Sequence, residues 1–277
     1  MTDETAPPEV PAFIDRVVDL LRRRLAEDLV SVIVHGSLAM GDFHPPKSDI
    51  DVLAVSSRRL AAAERIGLLR DLAGLHTYRP TRPGLEFSLL SQADLSPFVH
   101  PSPFEVHFSA SHVARIRQGW VPPPHAVDAD LAAHLTVARV RGIAVHGLSP
   151  HMALPAISPD LYIASVMTDA EQILHDETVL AAPTYGVLNL CRTLQLLEAG
   201  GHIVASKAEG AAWALTHLDS VFHPLIAAAL DAHCADAGSR DWTWREWSQA
   251  GWDLPAAALA DFRDYVAFRI DNLARRP

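Results

Sequence analysis

At 277 residues the chain is longer than a single hydrophobic core usually supports, so two domains are expected. A formal net charge of −10 speaks against tight nucleic-acid binding, where lysine and arginine must neutralise phosphates, and suits a small cationic partner drawn to acidic walls. With 49% apolar residues but no run approaching ~18 uninterrupted apolar positions, the composition describes a protein with a sizeable core and no membrane-spanning helix.

The acidic, proline-bearing stretch Met1 to Val10 lacks the basic start and apolar run of a secretory signal, so a cytoplasmic protein is expected. Phe13, Val17, Leu20, Leu21 and Leu25 recur at helical spacing and predict an amphipathic opening helix. The apolar run Val30 to Val34, ended by His35-Gly36-Ser37, reads as a buried strand entering a tight turn. Asp49 to Val55 reads as a second strand, Arg58 to Leu72 as a helix stopped near Gly74, and Leu85 to Ser91, opened by Gly84, as a third strand. Strand, turn, strand, helix and strand in this order imply an α/β (α+β) domain on a small mixed sheet.

Pro122-Pro123-Pro124 is a stiff break, and Asp128 to Val145 reads as one helix stopped by Gly147. The proline-bearing stretch Pro150 to Pro159 marks the junction, giving expected domains of residues 1–155 and 156–277. Beyond it the spacing predicts helices over Leu161 to His175, Tyr185 to Ala199, Lys207 to His217, Pro224 to Ala235 and Pro255 to Arg275, an all-helical bundle. Cys191 and Cys234 lie far apart in apolar helical contexts and read as two small buried thiols of a reducing compartment. Trp242, Trp244, Trp247 and Trp252 read as anchors of the last helix, and the fifteen histidines, His107 and His112 among them, as scattered, without a zinc-like arrangement.

The chemistry is concentrated in Val34-His35-Gly36-Ser37 and Ser48-Asp49-Ile50-Asp51-Val52-Leu53. Successive strand side chains point to opposite faces, so Asp49 and Asp51 share one face while Ile50 and Val52 enter the core. Paired carboxylates are costly unless a cation lies between them, and hard oxygen ligands suit Mg²⁺. Gly36 lets backbone N–H groups approach a phosphate closely, and the Ser37 hydroxyl can donate to the same oxygens. Glu86, on one face with Ser88 and Leu90, is the third carboxylate, able to hold metal or take a proton from an attacking hydroxyl. A base in that role needs a pKa below working pH, and a nearby Mg²⁺ favours its ionised form. These are the parts of a phosphoryl-transfer site.

This pattern resembles the nucleotidyltransferase superfamily related to DNA polymerase β, and within it the aminoglycoside 3″-adenylyltransferases that act on streptomycin and spectinomycin. Asp128-Ala129-Asp130-Leu131-Ala132, Leu135-Thr136-Val137-Ala138-Arg139 and His146-Gly147 are similar to that family's post-sheet helix. Val187-Leu188-Asn189-Leu190-Cys191-Arg192, with Gly200, Ile203, Lys207 and Ala212-Trp213-Ala214, is similar to its helical domain. The resemblance implies ATP as co-substrate, Mg²⁺ on Asp49 and Asp51, and Glu86 as the base that also touches metal. It places Gly36, Ser37, Ser48 and Asp130 near the nucleotide, and Arg192 and Lys207 on the phosphates. A triphosphate needs cations that the carboxylate motif lacks, and a lysine in a helix's first turn sits against the dipole, which agrees with those two roles.

The chain departs from the family where its substrate is held. No tryptophan stands in Val106 to Ser111, and the approach to Arg192 is Ala181-Ala182-Pro183-Thr184-Tyr185, with Asp176 and Glu177 upstream as substitute acidic contacts. The expectation is a monomeric enzyme acting on a small cationic antibiotic. The alternatives are a different hydroxyl acceptor, small-molecule or protein, or a non-catalytic nucleotide-binding, antitoxin-like module.

Overall fold

The computed structural model describes residues 6–45, 47–121, 123, 126–175, 178–235 and 256–274. The chain divides into two compact units, Met1–Ile157 and Ser158–Pro277.

In the first unit, helix α1 (Glu9–Leu25) leads to strand β1 (Leu29–Val34), the short helix α2 (Gly36–Met40) and strand β2 (Ile50–Ser56). Helix α3 (Ala62–Leu75) crosses to β3 (Leu85–Ser91), followed by α4 (Gln92–Leu95), β4 (Ser102–Pro103), β5 (Val106–Phe108) and α5 (Val113–Arg117). The unit ends with β6 (Val127–Asp128), α6 (Leu131–Arg141), β7 (Ile143–Gly147) and α7 (Pro150–Ala153). Five strands form a mixed sheet in the order β5-β3-β2-β1-β7, with β2 and β3 parallel and the other neighbours antiparallel.

The period of two along the strands splits the sheet into unlike faces. Val32, Val34, Val52, Ala54, Phe87, Leu89, Val106 and Phe108 are buried with the apolar stripes of α1 and α3 in the larger core. Ile33, Leu53, Val55 and Leu90 face the other way and pack with Leu131, Leu135 and Ala138 of α6 and with Ala153 of α7. Towards one end that second face changes from apolar to ionisable: Ile33 is followed by His35, Leu53 is preceded by Asp51, and Leu90 by Ser88 and Glu86. The apolar part holds α6 down and the polar part is left for chemistry.

The structure corrects three expectations of the first unit. Gly36-Ser37 opens helix α2 and is not only a turn at a strand end. The second helix starts at Ala62, later than Arg58, because Glu64 accepts the Ala61 N–H at 2.7 Å and Arg58 is tied to Asp28 and Glu64. Asp128 to Val145 is not one helix: Asp128 Oδ1 accepts the Asp130 N–H at 2.8 Å before α6, and Gly142 ends it. Ile143 to Gly147 is instead the edge strand β7, paired antiparallel with β1. Its apolar residues satisfy helical spacing as well as alternation, which is why the sequence alone merges them with α6. Pro122 and Pro124 lie outside the described residues.

The second unit is helical: α8 (Pro159–His175), α9 (Thr178–Ala181), α10 (Pro183–Glu198), α11 (Lys207–His217), α12 (His223–Cys234) and α13 (Ala256–Ala274). Helix α10 is central, with Val187, Leu188, Leu190, Cys191 and Leu194 all fully buried. Cys191 is buried and its thiol is pushed up to about 12 by burial, but Cys234 is exposed, which corrects the reading of two buried thiols. Neither is in a disulfide. Among the described residues no helix is long and apolar enough to cross a membrane. The tryptophans Trp242, Trp244, Trp247 and Trp252 lie outside the described residues.

Leu135 has no exposed surface and ties α6 to the sheet, so Leu135→Ala should cost about 2–5 kcal/mol, read as a lowered urea midpoint. A loss under about 1 kcal/mol would mean that α6 is not anchored through this face.

Candidate active site

Asp51 lies in β2 directly beside Glu86 of β3 in the parallel register, and Asp49 stands just before β2 on the face they share. The backbone N–H of Ile50 is held by the Gly84 carbonyl at 2.8 Å, which fixes Asp49 at the mouth of the sheet. On the other side, the His35 N–H donates to the Asp51 carbonyl at 3.0 Å, so β1 is stitched to β2 as far as the start of α2.

Gly36 has two reasons to be glycine. Its φ is +62°, and a Cβ there would fall 1.9 Å from Asp51 Oδ2. The bare backbone therefore leaves the space that the Asp51 carboxylate occupies. The Ser37 hydroxyl is buried with no hydrogen-bond partner among the described residues, an arrangement costing about 1–3 kcal/mol unless an incoming acceptor meets it. Ser48 is engaged in the loop: its Oγ accepts the His44 N–H at 3.0 Å and its own N–H donates to the His44 carbonyl.

Burial, and then the negative charges of Asp49 and Asp128, push Glu86 up to about 8. In the absence of a cation this carboxyl keeps its proton at neutral pH, above the range expected of a base. The protein also gives it a partner that the sequence did not announce. His107 Nε2 of β5 lies 3.2 Å from Glu86 Oε1, and His107 Nδ1 lies 3.1 Å from Ser88 Oγ. Burial lowers the His107 pKa, so the ring is neutral and Glu86, when protonated, donates to Nε2 while Nδ1–H donates to Ser88. When Glu86 ionises, the other tautomer serves, because the Ser88 hydroxyl can donate as well as accept. His107 also meets the edge of His112, which stacks on Trp120.

The histidines are thus not scattered. His35 and His134 are in edge contact at 5.4 Å between ring centroids, and both line a recess shared with Glu86, Ser88 and His107. Asp130 is exposed at the N-cap of α6, whereas the neighbouring Asp128 is the carboxylate whose charge reaches Glu86. The alternation Ile33, His35 was the one available pointer to His35. His107, His134 and Asp128 needed the sheet and α6 to be assembled.

In the second unit, Arg192 of α10 donates to Asn189 Oδ1 at 2.7 Å, and Lys207 Nζ at the start of α11 lies 5.4 Å from the centre of the Tyr185 ring. Gly210 of α11 touches the Arg192 backbone, so both cations flank the seam between α10 and α11. Asp176 and Glu177 lie outside the described residues.

Carboxylates just before and within β2, a third on the adjoining strand and a glycine-serine helix start are the parts of a nucleotidyltransferase site. Comparison supports this directly: residues 14–92 match the nucleotidyltransferase domain, and residues 153–266 match the C-terminal domain of aminoglycoside adenylyltransferase. The chain thus joins a nucleotidyltransferase domain to a C-terminal domain of the aminoglycoside adenylyltransferase type. Among solved structures, the spectinomycin adenyltransferase AAD(9) from Enterococcus faecialis, crystallised with ATP and spectinomycin, has the same fold, with a TM-score of 0.73. That likeness covers 94% of this chain and 99% of the other at 18% identity. No curated protein matches the sequence.

Gly36→Ala should displace the Asp51 carboxylate and lower nucleotidyl transfer by about 10²-fold or more while the helical unit stays folded, as read by activity and circular dichroism together. Wild-type activity in that variant would mean that Asp51 does not need its present position. For Glu86 the sign follows from its raised pKa. Between the model-compound value of 4.5 and about 8 the unfolded chain has lost a proton that the folded one keeps. Stability from this group is therefore complete below 4.5 and lost as pH rises towards 8. With a chelator present, urea midpoints should fall from about pH 5 to pH 8 in the wild type and fall less in Glu86→Gln. Parallel pH curves would remove the raised pKa.

Proposed function

We propose that this enzyme transfers AMP from ATP to a hydroxyl of an aminoglycoside-type antibiotic of the streptomycin and spectinomycin class, releasing pyrophosphate. The observation that carries this reading is the side-by-side placement of Asp51 and Glu86, with the charge of Asp49 felt at Glu86, in a chain whose second unit is of the aminoglycoside adenylyltransferase type. The solved relative that carries ATP and spectinomycin agrees in fold.

The donor set fits Mg²⁺: oxygen ligands only, crowded like charges, and a carboxyl whose pKa is raised by burial and then by its neighbours' charges. Asp49, Asp51 and Glu86 would hold it, and it would supply charge neutralisation at the phosphates. To phosphate oxygens Gly36 and Ser37 offer backbone N–H groups and a hydroxyl that has no partner among the described residues. Ser48 positions the loop that delivers Asp49, and Asp130 is assigned to the nucleotide. Arg192 and Lys207 are assigned as counter-charges for the triphosphate.

Glu86 takes the proton of the attacking hydroxyl. For this it must first be ionised, and a cation beside it lowers its pKa in the required direction. His107 orients the carboxylate through Nε2 and is held in turn by Ser88. The hydroxyl oxygen bonds to the α-phosphorus as the bond to pyrophosphate breaks, and the product is an AMP ester.

The test is pyrophosphate release from ATP and Mg²⁺ with a panel including streptomycin and spectinomycin. Release should require one drug and fall about 10²–10⁴-fold in Glu86→Gln, with ATP still bound. Release with a drug that is indifferent to Glu86→Gln would remove Glu86 as the base, and silence across the panel would assign the acceptor to another chemical class.

A further inference from the structure

Two side chains beside Asp51, His35 and His134, have no part in the reading above. His35 is only 5% exposed, and its ring makes no hydrogen bond among the described residues; its one ring contact is with His134. It is not buried against an apolar wall but lines the recess, with His134 and Glu86 as neighbours. An imidazole that lines the recess and meets no hydrogen-bonding side chain among the described residues leaves a nitrogen for an incoming ligand. Across that recess, one ring nitrogen each of His35 and His134 and one carboxylate oxygen of Asp51 lie within 4.8 Å of one another.

We infer that His35, Asp51 and His134 form a second metal site, for a borderline divalent ion of the Zn²⁺ and Co²⁺ kind. Two imidazoles and one carboxylate are the donors that such ions prefer, whereas Mg²⁺ takes oxygen almost exclusively. A tetrahedral ion with bonds of about 2.1 Å sets its donors about 3.4 Å apart. The remaining difference from 4.8 Å is within the sweep of the His134 ring, which sits half-buried on α6. Three protein ligands leave a coordination position open.

The fold places these donors with economy. His35 is opposite Asp51 across the β1–β2 pairing, held by the bond from the His35 N–H to the Asp51 carbonyl. His134 lies one residue from Leu135, whose burial fixes α6 against the sheet. Asp51 belongs to both sets, so an ion on the histidines withdraws it from the oxygen-donor site. The enzyme therefore carries a nitrogen-donor trap for transition metals next to its Mg²⁺ ligands. The inference does not depend on the acceptor molecule or on turnover.

The experiment uses full-length protein stripped with a chelator and titrated with the metal alone. Co²⁺ is followed by visible d–d absorption, and Zn²⁺ by competition against a chromophoric chelator. One equivalent should bind. Its affinity should fall by at least the roughly 10–100-fold that even a supporting residue is worth in His134→Gln and in Asp51→Asn, and stay within about threefold of wild type in Asp49→Asn. Equal affinity in His134→Gln, a parallel loss in Asp49→Asn, or no binding to wild type would overturn the site. His35→Gln removes the second nitrogen, with circular dichroism as the folding control. Should that variant unfold, X-ray absorption of the Zn²⁺-loaded wild type decides: two imidazole nitrogens in the shell support the site, and an oxygen-only shell overturns it.

Discussion

Carboxylates crowded at one end of a sheet repel each other, and the first unit is organised to hold them there nonetheless. Asp51 and Glu86 are locked side by side by the parallel pairing of β2 and β3, with Asp49 one step outside the strand. Behind them, the opposite face of the same strands is buried with α1 and α3. That burial, at roughly 25 cal/mol per Å² of apolar surface, is what keeps the strands in register against the electrostatic cost. Glu86 relieves part of the cost by keeping its proton, shared with His107. A cation relieves it differently, by letting the proton go. Metal affinity and base strength in this site are thus linked through one buried carboxyl crowded by like charges.

The second face shows how a single strand pattern serves packing and chemistry. Along one face of β1, β2 and β3 the side chains change from Ile33, Leu53 and Leu90 under α6 and α7 to His35, Asp51 and, past Ser88, Glu86, of which His35 and Glu86 line the recess. Because α6 is fixed by Leu131, Leu135 and Ala138, His134 is delivered to the recess without a loop of its own. The absence of a Cβ at Gly36 completes the arrangement, since the Asp51 carboxylate fills that volume.

Much of this is legible in the sequence, and the reasons are local. Asp-x-Asp in an apolar run, a glycine-serine start and a glutamate in the next strand are each short-range signals, and the helices of the second unit have clear spacing and stops. What was not legible depends on pairing between distant segments. Ile143 to Gly147 becomes a strand because β1 offers it an edge, and His107 meets Glu86 because β5 adds to β3. Asp128, whose charge adds to burial and to Asp49 in raising the Glu86 pKa, reads locally as nothing more than a helix-start residue.

The position of β7 has a consequence for how the protein is made. Ser31 of β1 donates its hydroxyl to the Leu148 carbonyl, a contact across 117 residues. During synthesis β1 therefore emerges long before the strand that covers its edge, and the ribosome must add α6 and β7 before the sheet can close. Until then, the apolar underside of Ile33 and Leu53 has no cover from α6.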